Sequence, residues 1–327
     1  MNTTIKRLAL VGVLALLAAG EPAPSLKLVT YGTGMGAWCL YGAQSERYFD
    51  AAGVTLERVF SVIGDPNIVS ALTSGEADIA IGSVGELVPV ANGQTDQIVV
   101  IASSEGAPLS LIGPNEITSP TQLIGKTIAL PAHNGSNTVI SEALLNDAIG
   151  AGKWNPLYIG GATTARVAAL VAGKASGAML SDPFDLNEAG IGDKDHVITR
   201  FGARAIYWNG PVFSTRKWLQ GNRVAATRFL AAFAKGCNFI LEPKNRTSAI
   251  ALLAKETPVS VAAATQAYDY YVAGPRRGKD PPRNATVDLP ALGNTVGLMK
   301  NAGIITNKTF DYRSAVDQQY LEAALKL

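Results

Sequence analysis

The sequence predicts an α/β fold of two similar lobes built on parallel-type sheets, with a hinge and a cleft between the lobes. Three observations carry this expectation. A phrase recurs at an offset of 98 residues, Leu72-Thr73-Ser74-Gly75-Glu76-Ala77-Asp78-Ile79-Ala80 being echoed by Leu170-Val171-Ala172-Gly173-Lys174-Ala175-Ser176-Gly177-Ala178. Around both copies, short β-branched runs alternate with helix-like stretches, the order of a parallel sheet with crossover helices. Beyond Ser214 the pattern turns helical and stays so, which reads as a helical return over the first lobe.

From the start of the chain, Lys6 and Arg7 precede an apolar run over 8–17 and then Ala18-Ala19-Gly20, the pattern of a signal peptide at 1–20. The run is shorter than the about 20 residues of a bilayer-spanning helix. No Cys follows it to carry a lipid, so a soluble, exported, periplasmic protein is expected. Residues 26–31 and 54–60 read as strands, with a helix over 38–52 between them that stops at Gly53. In each copy of the repeated phrase an Ala-rich helical run ends at Gly75 or Gly173, where a residue without Cβ can take the left-handed cap. A short strand then delivers Ser83 or Ser181 to a new helix start. Ser83 to Glu86 has capping-box spacing, and Asp182-Pro183 places proline at a first helical position.

Residues 98–102 make a further strand. The second unit continues with a strand at 127–130, a helix at 139–148, a strand at 157–159 and returning strands at 196–198 and 205–207. Crossings at 104–108 and 201–210 form a double hinge, which assigns 26–106 plus 208–327 to lobe 1 and 107–207 to lobe 2. The helices of the return are expected at 223–241, 245–255, 259–272 and 288–302, with apolar spacing that fits core packing.

Composition narrows the function classes. The chain is 47% hydrophobic and 17% charged with a net charge of +2, and its basic residues form no long block, which disfavours nucleic acid. The local basic cluster at 276–283 holds Pro281 and Pro282 and reads as a solvated loop. Cys39 and Cys237 are the only cysteines. A bridge between them needs Cα atoms within about 7 Å, and two buried thiols are the alternative; the sequence leaves both open.

Ligands of open parallel sheets bind outside the carboxyl ends of the strands. Four such ends run here into polar or Gly-rich turns. They supply Tyr31, Gly32, Thr33 and Met35; Gly82, Ser83 and Val84; His133, Asn134, Gly135, Ser136 and Asn137; and Asp182 and Phe184. Each turn starts a helix, whose unpaired N–H groups and dipole suit an anionic or strongly polar small molecule. Ser83, Ser136 and Asp182 are also expected to cap their own helices. Trp38 and Trp208 lie beside these turns and could wall off a ligand. Arg166 and Arg204 are the basic candidates for pairing with an anion, although each reads first as a surface residue.

Catalytic patterns are weak. Gly32-Thr33-Gly34-Met35-Gly36-Ala37 fits the dinucleotide fingerprint on its face, but the acidic residue about 20 positions on is missing, since Glu57 lies inside its strand. Gly82-Ser83-Val84-Gly85 lacks nucleophile-elbow spacing. His133 and His196 are the only histidines, and His196, after a charged run, is expected to be solvated. No metal-ligand spacing is present. Binding without turnover, cofactor or metal is expected.

Residues 43–54 (AQSERYFDAAGV), 71–80 (ALTSGEADIA), 119–129 (SPTQLIGKTIA) and 169–183, with 215–219 and 228–233 further on, resemble the substrate-binding proteins of nitrate/sulfonate/taurine-type ABC transporters. They are also similar to thiamine-precursor-binding proteins. The resemblance covers nearly all of the chain after the leader and implies a type II-like periplasmic-binding-protein fold. It implies a monomer that closes on a small molecule and delivers it to an ABC permease in the inner membrane. It places the ligand on the four turns, with Gly82 and Ser83 nearer to it than Gly75 to Asp78. None of those turns carries Arg or Lys, and Asp182 would favour an ammonium or ring N–H. An enzyme of the pyrimidine-precursor synthase type and a receptor for a membrane sensor are the alternatives.

Overall fold

The computed structural model describes residues 23–31, 35–104, 109–133, 135–160, 163–181, 195–201, 207–208, 210–257, 259–272 and 283–327. The expected signal segment lies outside them, as do Gly32, Thr33, Asn134, Asp182, Phe184 and Arg204.

The chain opens with β1 (Ser25–Tyr31), α1 (Trp38–Ser45), α2 (Tyr48–Ala52), β2 (Thr55–Val62), α3 (Asp65–Ser74), β3 (Ile79–Ile81), α4 (Val88–Ala91) and β4 (Ile98–Ser103). It continues with β5 (Leu109–Pro114), β6 (Thr127–Leu130), α5 (Ser136–Ile149), β7 (Asn155–Tyr158), α6 (Thr163–Val171), β8 (Gly177–Ser181) and β9 (Asp195–Arg200). It returns through β10 (Pro211–Thr215), α7 (Arg216–Gly221), α8 (Arg223–Leu241), α9 (Arg246–Glu256), α10 (Val261–Tyr271), α11 (Leu289–Asn301) and α12 (Gln319–Ala324).

The strands form two five-stranded sheets, ordered β2-β1-β3-β10-β4 and β7-β6-β8-β5-β9. The pairs β1–β2, β1–β3, β6–β7 and β6–β8 are parallel, as the alternating pattern requires. The expectation of parallel-type sheets needs one correction. β10 runs antiparallel to β3 and β4, and β5 runs antiparallel to β8 and β9, so both sheets are mixed. Neither β5 nor β10 is foreseen by pattern, because each is a short apolar run with Pro at one end and no alternation. Both are central strands with backbones covered on both faces.

The repeated phrase does the same work in each sheet. Gly75 and Gly173 take φ of 78° and 68° after α3 and α6. The chain then doubles back through Ala77 N–H to Ala71 O and Lys174 N–H to Ala169 O, both 2.9 Å. In the first copy Asp78 fixes the turn to the sheet, its carboxylate accepting from Lys27 N–H at 2.7 Å. Its own N–H donates to Lys27 O at 2.8 Å, as Ser176 N–H donates to Thr127 O in the second copy.

The helix expected over 38–52 is two helices, because Arg47 takes a left-handed φ of 56°. The first sheet carries a core on each face. One face buries Leu26 and Leu28 against Phe229 and Phe233 of α8. The other buries Val29 and Ala80 against Leu292 and Val296 of α11. Cys39 and Cys237 form a disulfide between α1 and α8, with Cα atoms 4.3 Å apart.

Candidate functional site

The carboxyl ends of β1 and β3 lie side by side, with Thr30 in register with Ile81. They deliver residues 31 and 35 and the turn at 82–84 to one edge of the first sheet. β6 delivers the turn beginning at 131 from the second sheet. The two edges meet where Ser136 Oγ donates a hydrogen bond of 3.0 Å to Ser83 Oγ. Ser83 is 5% exposed and Ser136 1%, so this contact is buried between the two sheets. Val139, one turn into α5, joins the apolar cluster of Leu292 and Val296, which adds a seam between the lobes beside the serine pair.

Ser83 stands on two acids, the buried Glu86 and the half-buried Asp65. Ser83 and Glu86 form the expected capping box around the 3-10 turn Val84–Leu87. Gly85 N–H donates to Ser83 Oγ at 3.1 Å, and Ser83 N–H donates to Glu86 Oε2 at 2.9 Å. Ser83 Oγ is 2.9 Å from Asp65 Oδ1 and 3.0 Å from Glu86 Oε2. Glu86 is fully buried, and its Oε1 has no hydrogen-bond partner. Burial pushes the Glu86 carboxyl well above the usual carboxylate range, and the neighbouring Asp65 pushes it the same way. Burial also raises Asp65, against the lowering effect of its bond to Ser83. Gly82 and Gly85 are glycines for a local reason: a Cβ on either would run into the carboxyl group of Glu86 or Asp65 respectively.

Several expected ligand residues have other employment. Trp38 is 2% exposed; its indole N–H donates to Ala249 O at 3.2 Å and its ring meets Tyr268 edge-on at 6.0 Å. Val84 is fully buried in the lobe-1 core. Trp208 donates from its indole to Ser103 Oγ at 3.0 Å, while its backbone N–H and C=O are both bonded to the Thr295 hydroxyl. All three are held in place by packing or hydrogen bonds within the protein, since helical and strand-end positions beside a cleft also face the sheet behind it. Ser136 does not cap α5 as expected. Gly135 occupies the N-cap position, and the Ser136 hydroxyl is turned to the other lobe.

The structure thus brings Gly82, Ser83, Gly135 and Ser136 together, with Asn137 half-buried behind them. Tyr31 ends β1 and Met35 opens the 3-10 turn Met35–Ala37 at the same edge. His133 is exposed on its turn and meets Tyr158 edge-on at 4.6 Å. The Tyr158 hydroxyl donates to Glu142 at 2.6 Å, and burial together with that carboxylate pushes its pKa up to about 12.

Two basic residues depart from expectation. Arg166 is 5% exposed instead of lying on the surface; its guanidinium donates to Met179 O and Thr163 Oγ1, each at 3.0 Å. His196 is part of β9 opposite Gly113, and its Nδ1 is buried without a partner instead of being solvated. Sequence reasoning passed over Asp65 as a site residue because Asp65-Pro66 reads only as a helix start. Glu86 was visible only as the far half of a capping box.

Two mixed sheets, each receiving the chain after a crossing through a central antiparallel strand and facing each other across strand ends, define the two-lobed periplasmic-binding-protein fold. Solved structures share it. The aliphatic sulphonate-binding protein SsuA of Escherichia coli aligns with a TM-score of 0.69 at 18% identity, over 90% of this chain and 92% of its own. The nitrate-binding protein NrtA of Synechocystis aligns with a TM-score of 0.72 at 12% identity, over 93% and 89%. The ligand-binding component of an ABC-type import system from Staphylococcus aureus aligns with a TM-score of 0.71 at 14% identity, over 92% and 99%. A search of curated proteins finds no match. The chain belongs to the NMT1/THI5-like family, whose profile matches residues 37–246.

Proposed function

We propose that the protein is an extracytoplasmic solute-binding protein. It captures a small polar or anionic organic molecule between lobe 1 (26–106 plus 208–327) and lobe 2 (107–207) and delivers it to an ABC importer in the inner membrane. The observation that carries this reading is the meeting of strand-end turns from two sheets at Ser83 and Ser136, in a chain whose relatives by fold include sulphonate- and nitrate-binding proteins. The leader pattern and the Cys39–Cys237 bridge suit a periplasmic address, where disulfides persist. The protein acts as a monomer, and closure requires only that the molecule bind the closed form better than the open one.

A synthase-type enzyme has one observation in its favour, the exposed His133 held against Tyr158 at a cleft turn. Against a thiol-based reaction, both cysteines of the chain are joined to each other. The test is a thermal-shift screen over sulfonates, nitrate, carboxylates, pyrimidines and amines. A true ligand at a hundredfold excess over Kd stabilises the fold by about 2.7 kcal/mol. A screen in which no compound shifts the melt counts against the reading. Turnover of a hit, abolished by His133→Ala, would favour the enzyme.

A further inference from the structure

The polarity of the Ser83 subsite follows from counting protons. A serine hydroxyl has one proton to donate and two lone pairs to accept with. Four groups crowd Ser83 Oγ: Asp65 Oδ1 at 2.9 Å, Glu86 Oε2 at 3.0 Å, Gly85 N–H at 3.1 Å and the Ser136 hydroxyl at 3.0 Å. Both carboxyl oxygens lie within reach of its single proton, and Asp65 Oδ1 can accept it whether or not Glu86 is protonated, so that proton points into lobe 1. Gly85 N–H fills one lone pair. What Ser83 offers to the opposite lobe is therefore its second lone pair, and the group now filling it is a donor, the Ser136 hydroxyl.

The backbone around Ser83 gives the same answer. Gly82 N–H donates to Pro211 O at 3.0 Å, Ser83 N–H to Glu86 Oε2, Gly85 N–H to Ser83 Oγ and Glu86 N–H to Ser83 O at 3.4 Å. These four donors, which an anion would need at a helix start, are already committed. Glu86 Oε1 is buried without a partner beneath Gly82.

We propose that the lobe-1 wall at Ser83 is a hydrogen-bond-acceptor subsite that takes an N–H donor of the captured molecule, with a protonated amine as its best occupant, and that Asp65 and Glu86 are the positioning residues that impose this polarity. The proposal rests on the solute-binding reading and names the ligand chemistry of its lobe-1 wall. A ligand amine takes the place of the Ser136 hydroxyl, and any anionic group of the same ligand is bound elsewhere in the cleft.

The test compares two probes of the same carbon frame and opposite head group, benzylamine and phenylmethanesulfonate, by isothermal titration of the leaderless protein after exhaustive dialysis. Benzylamine is expected to bind at least about tenfold more tightly, equivalent to about 1.4 kcal/mol. In Asp65→Asn one of the two acceptors of the Ser83 proton is removed and the amide can donate to Ser83 instead, so the ratio is expected to fall towards one. Glu86→Gln repeats the comparison, and circular dichroism checks that both variants fold. Should neither variant fold, the wild-type ratio decides alone. Equal or tighter binding of the sulfonate, binding of neither probe, or an unchanged ratio in folded Asp65→Asn each overturns the proposal. A sulfonate hit that shifts the melt would do so while leaving the solute-binding reading intact.

Discussion

Glu86 shows how a single residue can be read correctly and incompletely. Its spacing from Ser83 announces a capping box, and the capping box is there. That Asp65, 21 positions earlier, lies beside it is a fact of three dimensions, since α3 and the turn after β3 are brought together only by the sheet. The partner of Ser136 was hidden for the same reason: a serine at a helix start signals a cap, and nothing local says that a second lobe offers a better acceptor. Because burial holds the Glu86 carboxyl above its unfolded value, the folded state keeps a proton that the unfolded state releases. Its stabilising contribution is complete below the unfolded carboxyl range near about pH 4.3 and is lost as pH rises through the raised value. Asp65 shifts in the same direction. Glu86→Gln is accordingly expected to melt at or above the wild-type temperature at pH 8, with the difference shrinking or reversing near pH 5. Melting curves across that interval check this, and a wild-type melt that rises steadily with pH would refute it.

At the scale of elements, the contact between α1 and α8 is set by two glycines and a disulfide. A Cβ on Gly236 would strike the Cys39 carbonyl and lie 2.7 Å from Ala43 N, while one on Gly42 would lie 2.9 Å from Gly236 O. The obstructing atoms are backbone, so the helices themselves must separate. Gly236→Ala gains about 1 kcal/mol of helix propensity, but overpacking of this kind costs about 1–3 kcal/mol. Net destabilisation in urea melts is the expected result. The Cys39–Cys237 bridge closes a loop of 198 residues, for which chain entropy sets a ceiling of about 5 kcal/mol and common experience about 2–4 kcal/mol. Reduction should lower the urea midpoint accordingly. The boundaries of α8 were legible to the residue, because a long amphipathic run with polar ends has few other solutions. β5 and β10 were not, because a five- or six-residue apolar run beside proline suits a buried strand and a turn equally well.

For the whole molecule, the repeated phrase made two lobes legible, while the path between them had to be seen. Ser104 N–H donates to Gly210 O at 2.7 Å, which pairs the end of β4 with the start of β10 beside the first sheet. Trp208 anchors the return through Thr295 of α11 and Ser103 of β4. Thr295 is fully buried, and Thr295→Val keeps its shape while leaving the Trp208 N–H and C=O unsatisfied. A loss of about 1–3 kcal/mol is expected, with faster amide exchange at Trp208 and Gly210 than elsewhere in the first sheet; unchanged exchange there would show that Thr295 does not hold this segment. The central claim is that two lobes hold one small molecule between them. Native mass spectrometry of the protein purified from the periplasm without denaturation tests it most directly. A monomer carrying a single discrete organic mass that is released on unfolding is expected, and repeated preparations showing only the bare chain, unchanged by every compound class offered, would rule it out.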